Sequence, residues 1–534
     1  FGFPPNYVQT ILLDYSGTTK LLEVADYPSV IGAATGREHD KVLRYTGAIS
    51  SIMRIRQERM TEWMCSDIED YFAKRDEKGA HFDDPYGHIV VVMDMFDKFY
   101  DILNELESQS LTGAPTWCRA IMDIITDGDS VGVHLVSTAD KLPYRATKRG
   151  TFTPVSLAGG TSRLDDGMLA DMPHERRRSY KETVQNIPEG QPGRAVDSRS
   201  SLHLRFRIPS NTVIEHVDTD EAGNLVYDQT GSYSEDIKEL AKSRHAEVAN
   251  AGQLPAVLHS VPDIVPLYNV LTSSINNAPR PKSSKDLRIP FAVSVSDITE
   301  RSITTGSTIM AFGGEGSGKK TFLRDVIHVL NALGTPETVR VILYDKGNEL
   351  WQEKKLLEES GLLAYYTENK IKATKISKNF GEFLTKRASK AEQLDMSYED
   401  IQERSWYDGP DFYLIINGFE TFLDAGYGGN AILEPIAEAY RTTGRTDLGL
   451  TIIGAGRDNA AQRAIDSELS GDLAHGDPYL LRLAGMSDVR INSLGKFIPN
   501  LKKGRGHLLH GGTETEVQVA YTEPYVHEDD SGTS

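Results

Sequence analysis

The segment STIMAF-GGEGSGKKT-FLRDVIHVLNAL, residues 307–333, constrains the fold more than any other stretch of the chain. An apolar run leads into a glycine-rich turn, and an amphipathic run follows it. Glycines let consecutive backbone N–H groups turn towards one anion, and the helix that follows aims the positive end of its dipole at the same point. Gly313, Gly314, Gly316 and Gly318 supply that freedom, with Glu315 and Ser317 between them. Lys319 is placed to reach the outer phosphates of a nucleotide. A strand, loop and helix in this order predict an α/β domain with a mainly parallel sheet.

The next position breaks the pattern. A phosphate loop places Ser or Thr after its lysine, where the hydroxyl binds Mg2+; here the residue is Lys320, a cation that competes with a metal for the same space. Thr321 carries a hydroxyl one place late, rotated by about 100° on a helix. If the turn slips by one residue, Lys320 becomes the phosphate lysine and Thr321 the metal ligand, but Lys319 then stands where a glycine belongs. The strand FYLIIN, residues 412–417, bears on the same question. Hydrolytic enzymes of this kind end it with a metal-shell Asp and a water-polarising Glu, whereas this chain has Asn417 and Gly418, neither of which can act as a general base. Glu420, two residues on, reads as a solvated acid. Both defects fall on metal and water and leave the phosphate grip intact.

At 534 residues the chain exceeds one ordinary core, so two to four domains are expected. Short apolar runs alternate with helical patterns, the rhythm of parallel βαβ units. Residues 7–14, 88–94 and 131–138 read as buried strands, with a helical stretch over 41–75 between the first two. Residues 307–312, 339–345, 412–417 and 449–455 repeat that succession. MDMFDKF from Met93 pairs with INGFETF from Ile416, which sets Asp94 opposite Asn417, Phe96 opposite Phe419 and Phe99 opposite Phe422. IPEGQPGRA from Ile187 pairs likewise with IPNLKKGRG from Ile498. In the first copy Asp94 keeps a metal-type carboxylate, Met95 replaces the Glu, and Thr138 and Asp140 stand where a sensor of the terminal phosphate would lie. No strand and glycine loop precede Tyr7, so the first copy is read as lacking its phosphate-loop unit. The expected divisions are a module over 1–255, a linker over 256–285 rich in Pro, Ser and Asn, a second module over 286–524 and an acidic tail over 525–534. The polar stretch 211–252 is expected to hold a hairpin-like turn and then a helix.

The net charge is −19, which as a whole repels nucleic acid. The two cysteines, Cys65 and Cys118, fall in segments read as helical and are expected to be reduced thiols of a cytoplasmic protein. No run of 18 apolar residues occurs. The opening FGFPPNYVQ, without Met or a signal-like segment, reads as part of a longer product. No His/Cys metal spacing and no nucleophile elbow is found.

These motifs together resemble the FtsK/SpoIIIE branch of P-loop motor ATPases. GGEGSGK fits that family's GxxGSGK, and SDVRIN…KKGRGHLL, residues 487–509, is similar to its DSR…GRGDML closing segment. Two tandem modules that each close on an Ile-Pro…Gly-Arg element resemble more narrowly the EccC/EssC coupling proteins of type VII secretion. The resemblance implies two tandem RecA-like P-loop NTPase domains, the second and third ATPase modules of such a protein, with ATP as cofactor, with or without Mg2+, held by Gly313, Gly314, Glu315, Gly316, Ser317, Gly318, Lys319, Lys320 and Thr321. It further implies a hexameric assembly on the cytoplasmic side of the membrane, anchored through an N-terminal region outside this chain. The implied partners are other membrane components of the machine and secreted WXG100/ESX-type substrates recognised by C-terminal signals; DNA is not expected. Arginines that could reach a neighbouring subunit's nucleotide are Arg490, Arg445 and Arg457, each of which also reads as a surface salt-bridge former. Later modules of the family often carry degenerate catalytic positions, and Lys320, Asn417, Gly418 and Met95 all depart from the catalytic pattern. An FtsK-like DNA translocase and a scaffold without nucleotide are the alternatives.

Overall fold

The computed structural model describes residues 4–81, 83–109, 116–140, 157–159, 173–187, 194–197, 202–205, 213–219, 225–230, 233–252, 254–271, 287–391, 406–407, 409–422, 432–445, 447–465, 478–485 and 501–525. The chain divides into two compact units, residues 1–108 with 114–260 and residues 109–113 with 261–534.

In the first unit β1 (Val8–Asp14), β2 (Val30–Thr35), β3 (His88–Asp94) and β4 (Val133–Ser137) form a parallel sheet in the order β2-β1-β3-β4. The stretch expected as one helix is two, His39–Glu62 and Ile68–Lys78. The break falls where Met64 takes a left-handed backbone and the Asp67 carboxylate accepts the Asp70 amide at 2.9 Å, capping the second helix. Cys65 therefore lies in a partly exposed link and not in a helix. Three short antiparallel strands follow, β5 (Leu157–Gly159), β6 (Arg194–Asp197) and β7 (His203–Arg205). The polar stretch holds the antiparallel pair β8 (Val213–Thr219) and β9 (Leu225–Thr230), then the helix Tyr233–Asn250.

The second unit is built on one large sheet. Its strands are β10 (Val265–Pro266), β11 (Arg288–Ser294), β12 (Glu300–Thr304), β13 (Thr308–Gly313), β14 (Val339–Asp345), β15 (Leu363–Thr367), β16 (Asp411–Asn417), β17 (Leu450–Arg457), β18 (Tyr479–Leu483), β19 (Arg505–His510) and β20 (Thr513–Tyr521). The order is β12-β11-β20-β19-β18-β13-β17-β16-β14-β15, with β10 on β20. From β18 to β15 neighbouring strands are parallel, and from β12 to β18 they are antiparallel. All six residues of β13 are buried, as a parallel strand covered on both faces requires. On one face Phe380 and Leu384 of the helix Lys370–Ala391 and Ile436 and Tyr440 of the helix Glu434–Thr443 pack with Met310, Phe312, Leu414 and Ile416. Phe322, from the helix Lys319–Leu333, meets Phe291 of β11 edge to face.

The two units share a plan. The order β2-β1-β3-β4 matches β15-β14-β16-β17, and the carboxyl ends match in register, Asp14 beside Asp94 and Asp345 beside Asn417. Met95 and Gly418, which follow those paired ends, both have left-handed backbones, with φ of 63° and 88°. Phe96, Phe99, Phe419 and Phe422 are all fully buried. Arg194 and Arg505, from the paired Gly-Arg elements, each open a strand that pairs antiparallel with the next. Among the described residues of the first unit, β4 has no neighbour corresponding to β13.

The first unit also contains a fully buried ion pair. Arg56 donates to both oxygens of Asp84, at 2.8 and 3.1 Å, and to the carbonyls of Val131, Tyr86 and Gly87. Tyr71 donates a further bond to Asp84 at 2.9 Å. Removing one partner strands the other charge away from water. Arg56→Leu should therefore cost about 3–5 kcal/mol in urea unfolding of this unit, and Arg56→Met combined with Asp84→Leu should cost less than the single change.

Candidate functional site

The parallel register assembles the site. Gly313 lies beside Arg457, Asn417 beside Ala455 and Asp345 beside Asn417, so β13, β17, β16 and β14 end together at the carboxyl edge of the sheet. Open parallel sheets bind their ligands at this edge.

Residues 313–318 turn from β13 into the helix Lys319–Leu333, with Gly318 at its N-cap. The antiparallel half of the sheet grips the turn from behind. The Gly314 amide donates to the Ala484 carbonyl at 2.7 Å and the Gly504 amide to the Ser317 carbonyl at 3.2 Å. Gly318 has φ of 108°, and a Cβ there would stand 3.1 Å from the Gly504 Cα. The KKGRG segment thus packs against the loop, which accounts for glycine on both sides of the contact. Glu315 and Gly316 are exposed, Ser317 is buried and Thr321 is partly buried in the first helical turn. Lys319 folds inward and donates to the carbonyl of Gly313 at 2.8 Å and to that of Gly314. Burial holds its pKa below the ordinary lysine value, against the raising influence of Asp458 and Glu420. The slipped register would need Lys320 in this position, and Lys320 points elsewhere.

The Lys320 ammonium lies 3.3 Å from Glu349 Oε2. The Asn417 amide donates to the same oxygen at 3.3 Å and to Asp345 Oδ1 at 2.8 Å, while Asp345 Oδ2 accepts the Leu350 amide at 2.8 Å. Burial, the main cause, pushes the Asp345 carboxyl above its ordinary value despite those donors. Mg2+ demands near-octahedral oxygen coordination, and these residues do not fit it. The end of β16 offers an amide engaged with two carboxylates, and a lysine stands at one of them. Like unit charges about 4 Å apart repel by about 1 kcal/mol in water and about 4 kcal/mol at a protein surface, and a dication doubles that. The half-exposed Lys320–Glu349 pair is itself worth less than about 1 kcal/mol, so its importance is the place it occupies. Among the described residues no cluster of His, Cys, Asp and Glu is arranged to hold a metal.

Glu420 is not the solvated acid expected from the sequence. Its side chain is mostly buried, 3.3 Å from the Lys346 ammonium and 3.8 Å from Arg457 Nε, and it accepts the Arg457 amide at 3.3 Å. Burial alone would raise its pKa, but backbone amides and Lys346 outweigh it and hold the carboxyl low. An ionised carboxylate committed to two cations is a poor base. Of the two candidate arginines among the described residues, Arg457, exposed at the end of β17, lies at this edge. Arg445 bonds Asp447 and stacks on Trp406 before β17 begins, and Arg490 lies outside the described residues. In the first unit Thr138 donates to Asp94 and accepts the Met95 amide at 3.0 Å, the contacts of a strand-end cap, and the Asp140 amide reaches Asp97 at 3.4 Å. The sequence reading missed Asp345, Lys346, Glu349 and Asp458. The first three lie in YDKGNE, at and just after the end of a strand already recognised, and that position was the available signal.

A parallel sheet with a glycine loop and its lysine between β13 and the following helix defines the RecA-like P-loop class. No protein-family model matches the chain. The ESX-1 secretion system protein EccCb1 of Mycolicibacterium smegmatis is 24% identical over 97% of this chain and 80% of its own length. The ESX secretion system protein EccC of Thermomonospora curvata is 23% identical over 97% of this chain and 35% of its own. Among solved structures, the cytoplasmic domain of the T. curvata type VII secretion ATPase EccC aligns with a TM-score of 0.66 at 20% identity, covering 97% of this chain and 54% of that one. ATPases 2 and 3 of that protein, in complex with a signal sequence peptide, align with a TM-score of 0.66 at 19% identity, covering 97% and 83%. Over nearly its whole length the chain is thus similar to the EccC proteins of type VII secretion and shares the fold of their ATPase domains.

Gly418 tests the geometry of this edge. A Cβ there would stand 2.9 Å from the Lys346 Cβ on a left-handed backbone. Gly418→Ala should destabilise the second unit by about 1–3 kcal/mol in thermal or urea unfolding. An unchanged midpoint would contradict this placement of Lys346.

Proposed function

We propose that the chain forms the C-terminal ATPase-fold modules of a type VII secretion motor, that residues 313–321 bind ATP mainly as a structural or regulatory ligand, and that the modules help to recognise small helical substrates for export. The observation that carries the degenerate-site part is the arrangement of Lys320, Glu349, Asn417 and Asp345, which retains cations and amides where metal and base would stand. The intact loop with Lys319 turned into it supports nucleotide binding and argues against a bare scaffold. Substrate recognition is supported by the relative solved with a signal sequence peptide. The modules are assigned to 1–255 and 286–524, with a linker between them, in a ring of like chains at the cytoplasmic face of a membrane. No helix among the described residues is long and apolar enough to cross one.

The test is binding of a fluorescent ATP analogue to the whole chain, together with steady-state phosphate release. The analogue should bind, Lys319→Ala should weaken it by at least about tenfold, and turnover should fall far below the roughly 1–10³ s⁻¹ of ordinary enzymes. Turnover of several per second that Lys319→Ala abolishes would sink the degenerate-site reading. Absence of binding with and without Mg2+ would establish the scaffold instead.

A further inference from the structure

We propose that Lys320 is a built-in cation that replaces the divalent metal, so that the loop takes a nucleoside triphosphate without Mg2+. This rests on the nucleotide reading above and adds the identity of the counter-ion. Lys319 and Lys320 open the helix Lys319–Leu333, so two lysines stand at the positive end of its dipole. Lys319 is drawn into the loop by the Gly313 and Gly314 carbonyls, whereas Lys320 is turned out to Glu349, 3.3 Å away. Glu349 and Asp345 are the acids that Asn417 contacts at the end of β16. Both are already bound by hydrogen donors, Glu349 Oε2 by Lys320 and Asn417, and Asp345 by Asn417 and the Leu350 amide. The Asn417 amide that links them bears hydrogens on the nitrogen facing the two acids, so that nitrogen cannot ligate a metal. Position 320 is thus doubly changed from the usual pattern: it loses a hydroxyl ligand and gains the charge that the ligand would have held. The substitution at 417 is the matching change, because Asn bridges the two carboxylates without adding a third negative charge.

The experiment titrates the fluorescent ATP analogue into the 534-residue chain in excess Mg2+ and in EDTA, for the wild type and for Lys320→Thr, Lys320→Gln and Lys320→Arg. Lys320 is exposed, and thermal melts check that each variant is folded. The wild type and Lys320→Arg should bind with affinities that differ by less than about threefold between the two conditions. Lys320→Thr should lose at least about tenfold in EDTA and recover it in Mg2+, and Lys320→Gln should lose affinity in both. Wild-type binding that collapses in EDTA, or a Lys320→Thr protein with the wild-type Mg2+ ratio, would overturn the inference while leaving nucleotide binding in place. If no protein binds under either condition, the nucleotide reading itself falls.

Discussion

The carboxyl edge of the second sheet depends on one constraint, the parallel register of β13, β17, β16 and β14. With that register fixed, Gly313, Arg457, Asn417 and Asp345 must end side by side. No long-range electrostatics is needed to gather them, because strand hydrogen bonds and the apolar faces of these strands do so. The loop then has only to be held, and the antiparallel half holds it through Ala484 and Gly504. The part of the sheet that looks like an addition to the nucleotide fold is therefore what supports the phosphate loop.

On this frame the chemistry has been changed in a coherent way. Lys320 adds a cation, Asn417 neutralises a metal-type position, and Gly418 leaves no base and makes room for Lys346. Glu420, a further acid at this edge, has its carboxyl held low by backbone amides and Lys346. In the resulting arrangement cations and carboxylates pair, Lys320 with Glu349 and Lys346 with Glu420.

Much of this was legible in the sequence, for reasons that differ by element. Strands β1, β3, β13, β14, β16 and β17 are apolar runs buried by helices, and the glycine loop and its lysine are local signals read without tertiary information. The repeat was legible because Phe96 and Phe419 must be buried after a left-handed turn. The antiparallel strands β11, β12, β19 and β20 were missed, since their partners are set by tertiary contacts and not by short-range pattern. Glu420 was misread for the same reason: its partners Lys346 and Arg457 are far away in sequence. The break at Met64 escaped notice because the residues around Trp63 and Cys65 carry no glycine or proline punctuation.

The most direct test of the central claim, a nucleotide held without turnover, is the fate of the nucleotide once bound. The chain is loaded with ATP labelled on the γ-phosphate in excess Mg2+, separated from free nucleotide and quenched in acid at intervals. The account predicts that the label remains in the triphosphate throughout the lifetime of the complex. Steady conversion to diphosphate and free phosphate, lost in Lys319→Ala, would contradict it.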